Sequence, residues 1–257
     1  MSSDIGAHRD VNQDAAFAAS WGAGVADGVG GGPAGDLASA AFLRRLVSGG
    51  HPVSDAGALV DRIRWANWDL GAHVRRDPAL AGMATTLTAL WFSDGGELLL
   101  AHTGDSRAYL LRGGKLSRQT RDDSYVQVLI EQGLVREEDA MTHPRRNIIT
   151  ASLSGDATDP VRVDERTPER GDRWLLCSDG VSDYLPDDAI ADVLRDVAGP
   201  QAAADELVRL SLEAGSRDNV TAVVADVAAA AYEAATGAPR FFGAAASRFA
   251  DEIDRVG

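Results

Sequence analysis

The segment Val25-Ala26-Asp27-Gly28-Val29-Gly30-Gly31 decides the fold prediction for this chain. The small apolar run over residues 21–26 is typical of a buried strand, and it ends at a carboxylate followed by a glycine-rich loop. Glycine tolerates positive φ and lets the main chain approach a ligand closely. The segment therefore predicts a strand that delivers Asp27 into a ligand-binding cleft.

Three further aspartates stand at comparable junctions. Asp105 and Asp179 each end an apolar run, and Asp218 opens one. Strand ends deliver side chains into a shared cleft, where several carboxylates repel one another unless a cation lies between them. Mg²⁺ and Mn²⁺ prefer oxygen ligands, and a pair of such ions makes a hydrolytic site for phosphate esters. Taken singly, a turn or a helix cap explains each aspartate as well as a metal does.

The length, composition and net charge of the chain limit the classes of protein to which it can belong. The 257 residues, of which 45% are hydrophobic, suffice for one large domain or two. The net charge of −14 argues against binding nucleic acid through a basic surface. The sequence has neither a run of 18 apolar residues nor a signal-peptide pattern, so we expect no membrane span. The single cysteine, Cys177, fits a reducing compartment, and we expect a cytoplasmic protein.

Hydrophobic periodicity predicts an alternation of helices and strands. Helices are predicted over residues 36–47, 55–76, 187–197 and 201–214, and strands over 83–91, 97–103, 106–111, 116–119, 172–178 and 219–227. The strands between residues 83 and 119 are separated by tight turns, which favours an antiparallel meander. The polar stretch over residues 121–156 interrupts the strands and is interpreted as a flap near the site.

The alanine-rich tail over residues 228–257 is predicted to be helical. Phe242, Phe249, Ile253 and Val256 would share one helical face at steps of seven, four and three. The alternative is a segment that docks a partner or a second domain.

Seven short motifs stand in a fixed order along the chain: Gly6-Ala7-His8-Arg9-Asp10-Val11-Asn12-Gln13-Asp14, Ala26-Asp27-Gly28-Val29-Gly30-Gly31, Gly82-Met83-Ala84-Thr85-Thr86, His102-Thr103-Gly104-Asp105-Ser106-Arg107, the His143 to Asn147 segment, Leu176-Cys177-Ser178-Asp179-Gly180, and Arg217-Asp218-Asn219-Val220-Thr221. In this order they resemble the metal-dependent serine/threonine protein phosphatases of type 2C, in their bacterial form. The resemblance runs from Gly6 to Asp226, nearly the whole chain.

The resemblance implies an α+β fold, a four-layer α-β-β-α sandwich of two antiparallel sheets flanked by helices. It implies a catalytic domain over residues 1–227, with the flap at about 121–156 and the helical tail after it. The implied reaction is hydrolysis of phosphoserine and phosphothreonine in proteins by a metal-activated water, opposing a Ser/Thr kinase in bacterial signalling. The implied cofactors are two Mn²⁺ or Mg²⁺ ions, and a third ion is found in bacterial members.

The resemblance also assigns roles by position. Asp27 is expected to bridge the two ions, with the backbone carbonyl of Gly28 and the carboxylates of Asp179 and Asp218 as further ligands. Asp105 is expected to bind the third ion. Asp14 is expected to hold metal-bound water, and Arg9 to bind the phosphate, because a guanidinium fork matches two phosphate oxygens.

Three positions depart from the family pattern. Gln13 stands where many members carry Glu, Gly32 where many bacterial members carry His, and Val29 where the animal enzymes carry a His proposed as general acid. His143 is a possible proton donor in place of the latter. The alternative function is therefore a catalytically weak phosphoprotein-binding regulatory module. In either case we expect phosphorylated protein partners, including a Ser/Thr kinase, no nucleic acid and a monomer.

Overall fold

The fold consists of strands and helices whose buried side chains form its cores. The structure, a computed structural model, describes residues 1–29, 34–49, 53–228 and 238–248. The strands are β1 (Ser2–Asp4), β2 (Asp14–Ala19), β3 (Gly22–Val29), β4 (Ala84–Thr85), β5 (Leu87–Phe92), β6 (Leu98–Thr103), β7 (Arg107–Arg112), β8 (Lys115–Arg118), β9 (Arg162–Arg166), β10 (Arg173–Cys177), β11 (Val220–Asp226) and β12 (Arg240–Gly243). The helices are α1 (Gly35–Ser48), α2 (Ala56–Arg76), α3 (Tyr125–Glu131), α4 (Asp179–Ser182), α5 (Asp187–Asp196), α6 (Pro200–Glu213) and α7 (Ala244–Ser247), with 3-10 helices at Pro78–Leu80 and Glu137–Thr142.

The strands form two antiparallel sheets. One sheet has the order β1-β11-β10-β7-β8, and the other has the order β12-β2-β3-β5-β6-β9, with β4 paired to β3. All of the pairings are antiparallel. This confirms the predicted two-sheet α+β architecture.

Successive residues of one strand show the four layers. On β10, Trp174 and Leu176 pack between the sheets, together with residues of the other sheet such as Val25 and Leu100. The alternate residue Leu175 joins the cluster formed with α4, α5 and α6. The other sheet packs in the same way against α1, α2 and α7. Because strand side chains alternate between faces, each sheet contributes to two cores.

The predicted meander is wrong at one point. β6 belongs to one sheet and β7 to the other, so the chain changes sheets between Thr103 and Arg107. Gly104 has φ of 104°, and a Cβ there would lie 2.6 Å from Cγ2 of Thr86. Only glycine combines this backbone conformation with such close packing. Strand periodicity predicts that a strand forms but not which sheet it joins.

The ends of the chain supply edge strands that the sequence pattern did not indicate. β1 pairs with β11, and β12 pairs with β2 from Arg240 opposite Ala18 to Gly243 opposite Ala15. Phe242 lies in β12, so the predicted helical face is wrong at this residue, because pairing with β2 satisfies its main chain in a strand. Phe249, Ile253 and Val256 lie outside the described residues. The division at residue 227 between a catalytic domain and a tail remains a prediction.

The flap contains α3 and the 3-10 helix Glu137–Thr142. Asp123 anchors its base, because the Asp123 carboxylate accepts the N–H of Gly104 at 3.0 Å and Nη2 of Arg162 at 2.7 Å. Ser124 caps α3 by accepting the N–H of Gln127. The flap is thus attached to the strand junction that carries Asp105.

Within the described ranges, no helix combines the length and apolar character needed to cross a membrane.

We expect Leu176→Ala to lower the free energy of unfolding by about 2–5 kcal/mol, because it leaves a cavity between the two sheets. Urea denaturation measures this loss. The matched control is Leu134→Ala on the flap, where the leucine is 68% exposed, and its effect should stay within about 0.5 kcal/mol. Equal losses in both variants would contradict the assignment of Leu176 to the inter-sheet core.

Candidate functional site

The predicted acidic residues meet at one edge of the two sheets. Asp14 begins β2 and stands opposite Asp27 on β3 in the strand register. Asp105 lies where the chain crosses from β6 to β7, Asp179 begins α4 directly after β10, and Asp218 precedes β11 by two residues. Antiparallel pairing brings the end of one strand beside the start of its neighbour, which places all five aspartates at the same edge.

Two threonines fix the main chain of Asp27. The N–H of Asp27 donates to Oγ1 of Thr86 at 2.9 Å, and the carbonyl of Asp27 accepts the Thr85 hydroxyl at 3.0 Å. The hydroxyl of Thr86 also bonds to that of Ser106, beside Asp105. The two threonines therefore hold the main chain of Asp27 in place. The next residue, Gly28, donates its N–H to the carbonyl of Gln13.

Asn219 ties the N-terminal loop to the loop of Asp218. Its Oδ1 accepts the N–H of Gln13 at 2.8 Å, and its Nδ2 donates to the carbonyls of Ile5 and Val11 at 2.9 and 3.1 Å. These bonds hold the loop that carries Arg9 across the edge of the sheets. Asn219 therefore orders the chain around Asp218.

Close backbone packing sets the position of Asp179. A Cβ on Gly180 would lie 1.9 Å from the carbonyl oxygen of Asn219. Nothing larger than glycine fits there without a shift of the main chain. The N-terminus of α4 therefore lies directly against the segment that carries Asp218.

Arg9 lies at the mouth of the cluster. Its Nη2 donates to Oδ2 of Asp218 at 2.6 Å, and the two side chains are 39% and 22% exposed. The guanidinium is therefore half open to solvent while it faces the carboxylates. This is the placement that a group binding a phosphate at the surface of the cluster requires.

Burial and mutual repulsion raise the pKa values of the cluster. The pKa of Asp27 lies well above its usual range because of burial first, and then the charges of Asp14, Asp105 and Asp218. Burial, followed by the charges of Asp27 and Asp105, likewise raises the pKa of Asp179. Burial raises the pKa of Asp14 to about 6 and that of Asp105 to about 7. The aspartates therefore act on one another as a single group of like charges.

Two buried carboxylate oxygens have no hydrogen-bond partner among the described residues. Ser178 donates its hydroxyl to Oδ2 of Asp14 at 2.7 Å, but Oδ1 of Asp14 and Oδ1 of Asp179 remain unpaired. Buried polar atoms are almost always paired, so unpaired oxygens in a group of like charges are the donor set for a hard cation. The residues present fit Mn²⁺ or Mg²⁺.

The arrangement is not yet a closed ligand shell. In the described part of the chain, no three or more His, Cys, Asp or Glu side chains are spaced as a complete metal-ligand group. The ion pair with Arg9 occupies one oxygen of Asp218. Closing the shell around a cation requires side-chain adjustments within a backbone that is already in place.

Asp183 is a member of the cluster that sequence reasoning missed. It follows Asp179 by four residues, one turn of helix, and burial raises its pKa. Its charge in turn helps to raise the pKa values of Asp105 and Asp179. Arg146 of the flap donates Nε to Oδ2 of Asp183 at 2.9 Å. The four-residue spacing after Asp179 was the available signal.

Two other candidate residues have structural positions. Cys177 is fully buried among the residues between β10 and α5–α6, and burial raises its pKa to about 12, so the thiol is no nucleophile. His143 accepts the N–H of Arg145 at Nδ1 within its own turn, which stabilises the flap. Gly32 lies outside the described residues.

Comparison with known proteins identifies the family. The family model for Protein phosphatase 2C matches residues 7–214. The chain belongs to this family. The match covers the whole aspartate cluster except Asp218, together with Arg9 and the flap.

Similar proteins of known name are bacterial. The chain is 41% identical over 228 residues to the serine/threonine protein phosphatase PstP of Mycobacterium tuberculosis, which covers 88% of this chain and 44% of PstP. It is 32% identical over 210 residues to the serine/threonine phosphatase stp of Listeria welshimeri, covering 79% of this chain and 82% of that protein. The chain therefore spans less than half the length of PstP.

A solved structure shares the fold. The catalytic domain of PstP, determined in complex with two manganese ions, superposes with a TM-score of 0.80 at 38% identity, covering 88% of this chain and 96% of that one. The four-layer architecture of this phosphatase family is thereby confirmed for the chain.

We expect the protein in EDTA to lose stability as the pH rises from roughly 4 to 7. The folded-state pKa values of Asp14 and Asp105, about 6 and about 7, lie above the unfolded value of 3.8. Their contribution to stability is complete below the unfolded pKa and is lost as the pH rises through the folded values. A pKa that is one unit higher in the folded than in the unfolded protein corresponds to about 1.4 kcal/mol, so the melting temperature should fall by several degrees.

Asp105→Asn should flatten this pH profile and stabilise the protein at pH 8 in EDTA, because it removes one of the buried like charges. The matched control is Asp94→Asn, at an exposed turn, which should leave the slope unchanged. Differential scanning calorimetry over the pH series measures both. A slope that is the same in the Asp105 variant and the wild type would contradict the repulsion account.

Proposed function

We propose that the protein is a metal-dependent phosphatase that hydrolyses phosphoserine and phosphothreonine in proteins. The observation that carries the proposal is the meeting of the buried Asp14 and Asp105 with the partly buried Asp27 and Asp179 in one group, with Arg9 at its mouth. Membership of the protein phosphatase 2C family and the similarity to PstP and stp support it.

Each carboxylate has a proposed part in holding the cofactors. Asp27, Asp179, Asp218 and the carbonyl of Gly28 would hold two Mn²⁺ or Mg²⁺ ions, with Asp27 between them, and Asp105 would hold a third. When bound, these ions activate water near neutral pH and offset the charge of the phosphate. The two manganese ions in complex with the PstP catalytic domain support the number and type of ion.

Arg9 and Asp14 act around the reacting group. Arg9 binds two phosphate oxygens with its planar fork and neutralises the charge that develops on them. To do so the guanidinium turns from Asp218 toward the incoming phosphate, a movement that its exposure at the mouth permits. Asp14 is oriented by the Ser178 hydroxyl on one oxygen, which leaves the other oxygen to accept a hydrogen bond from water in the site.

The substitution at Gln13 is compatible with this role. The main chain of Gln13 is fixed on both sides: its N–H donates to Asn219, and its carbonyl accepts from Gly28 and the Ser39 hydroxyl. These bonds do not depend on whether the side chain is an amide or a carboxylate. The position therefore holds the loop in place, while the amide lowers the negative charge of the site.

The setting of the activity is also proposed. The substrates would be phosphoproteins of a bacterial signalling system, including a Ser/Thr kinase whose action the enzyme opposes. The enzyme would work in the cytoplasm as a monomer. The bacterial relatives named as serine/threonine phosphatases support phosphoprotein substrates in a bacterium.

The first test is release of phosphate from a phosphothreonine peptide in the presence of Mn²⁺. We expect turnover that excess EDTA abolishes and added Mn²⁺ restores, because the carboxylate cluster must be neutralised before it can bind an anionic substrate. Mn²⁺ binding measured by calorimetry without any phosphate release would instead favour the phosphoprotein-binding module.

The second test is Asp27→Asn, which we expect to reduce kcat/KM about a thousandfold or more, equivalent to about 4 kcal/mol of transition-state stabilisation. An amide cannot bridge two cations as a carboxylate does. The melting temperature in EDTA should not fall, since a buried like charge has been removed. Asp94→Asn serves as the matched control for activity. Wild-type turnover in the Asp27 variant would refute the two-ion account.

A further inference from the structure

A cavity of about 230 Å³ adjoins the aspartate cluster. It lies between the flap, which contributes α3 and the 3-10 helix Glu137–Thr142, and the chain from α4 to the start of α5. Asp105 and Asp183 of the cluster form part of its wall. Whatever enters this cavity therefore lies beside the site where the phosphate is proposed to bind.

The arginines that line the cavity are already engaged by lining carboxylates. Arg107 donates to Asp122 from Nε and Nη2, and Arg118 forms an ion pair with the same carboxylate. Arg146 pairs with Asp183 at 2.9 Å. Each of these three arginines is thus engaged within the wall, with Arg107 and Arg118 sharing Asp122.

Two carboxylates at the rim of the cavity remain without an ion-pair partner among the described residues. Glu137 on the flap and Asp187 at the start of α5 line the cavity from opposite sides, and neither forms an ion pair within the described residues. Both are exposed. An entering cationic group would meet a carboxylate on each side, whereas an anionic group would be repelled by both.

The rest of the lining suits an aliphatic stem. The lining also has apolar surface, which is provided by Val126, Ile130, Met141 and Leu185. Long cationic side chains lay their methylene groups along such surface while the charged head reaches polar partners. Ser182 also lines the cavity, and its hydroxyl is buried and has no hydrogen-bond partner in the described residues.

We propose that this cavity binds a Lys or Arg side chain of the phosphoprotein substrate, a few residues from the phosphorylated residue, and so selects for substrates with a nearby basic residue. The inference rests on the proposed phosphatase function and specifies its substrate class. The geometry that carries it is a cavity beside the site with an acidic rim from two elements, an apolar wall and an unpaired buried hydroxyl.

The experiment is a set of phosphothreonine peptides in which one position, within about three residues on either side, is Arg, Ala or Glu; an extended chain spans about 10 Å over that distance. With Mn²⁺ present, kcat/KM at the best position should be at least about threefold higher for Arg than for Ala, and lower again for Glu. The preference should weaken at high salt, because the rim carboxylates are exposed.

Substitutions at the rim test the assignment. In a Glu137→Gln, Asp187→Asn double variant the ratio of kcat/KM for Arg over Ala should fall toward one, and in Glu137→Lys the order of Arg and Glu peptides should reverse. The matched control is Asp188→Asn, which changes the neighbouring exposed carboxylate outside the cavity and should keep the wild-type ratio.

The outcomes separate the two proposals. A wild-type enzyme that cleaves all three peptides at one rate, or a preference that survives in the double variant, overturns the basic-residue pocket and leaves the phosphatase function standing. Failure to release phosphate from every peptide, with Mn²⁺ bound, overturns the phosphatase function on which the pocket depends.

Discussion

Repulsion among closely placed carboxylates opposes the assembly of the site, and the fold has to overcome it. Asp14, Asp27, Asp105 and Asp179 are drawn from separate strand junctions into one group, where burial and neighbouring negative charges raise the cost of ionising each of them. Interactions between residues that are close in sequence do not favour this arrangement. The packing of the two complete sheets holds the carboxylates together. The site therefore depends on the inter-sheet core.

The support for the site is almost entirely main chain and small side chains. Threonine hydroxyls fix the strand of Asp27, Asn219 binds three main-chain groups of the N-terminal loop, and Gly180 lets α4 touch the segment before β11. Such contacts leave little freedom for the backbone while the carboxylate side chains can still adjust. A cation therefore finds ligands on a rigid frame, which reduces the ordering that binding must bring about.

The sequence predicted the parts that depend on local chemistry. Helices α1 and α2 follow from their periodic apolar residues, and the aspartates follow from their place at strand ends and from the order of the motifs. Prediction from the sequence failed where the structure depends on residues that are far apart in the chain. The assignment of β6 and β7 to different sheets, and the pairing of β12 with β2, depend on partners that a local pattern cannot name. Asp183 was missed because its membership arises from burial beneath the flap rather than from a strand end.

The pairing of the first strand with the last strand of its sheet has a consequence for biosynthesis. Arg9 and Asp218, which meet at the mouth of the site, are separated by 209 positions in the sequence, and β1 joins the sheet only through β11. Ribosomes add about 5–20 residues per second, so the two halves of the centre are made about ten seconds or more apart. A nascent chain that already contains Asp14 and Asp27 cannot complete the site until β11 has been synthesised. The protein can thus have no activity until β11 has been translated, because the site lacks the segment of Asp218 and β11 before then.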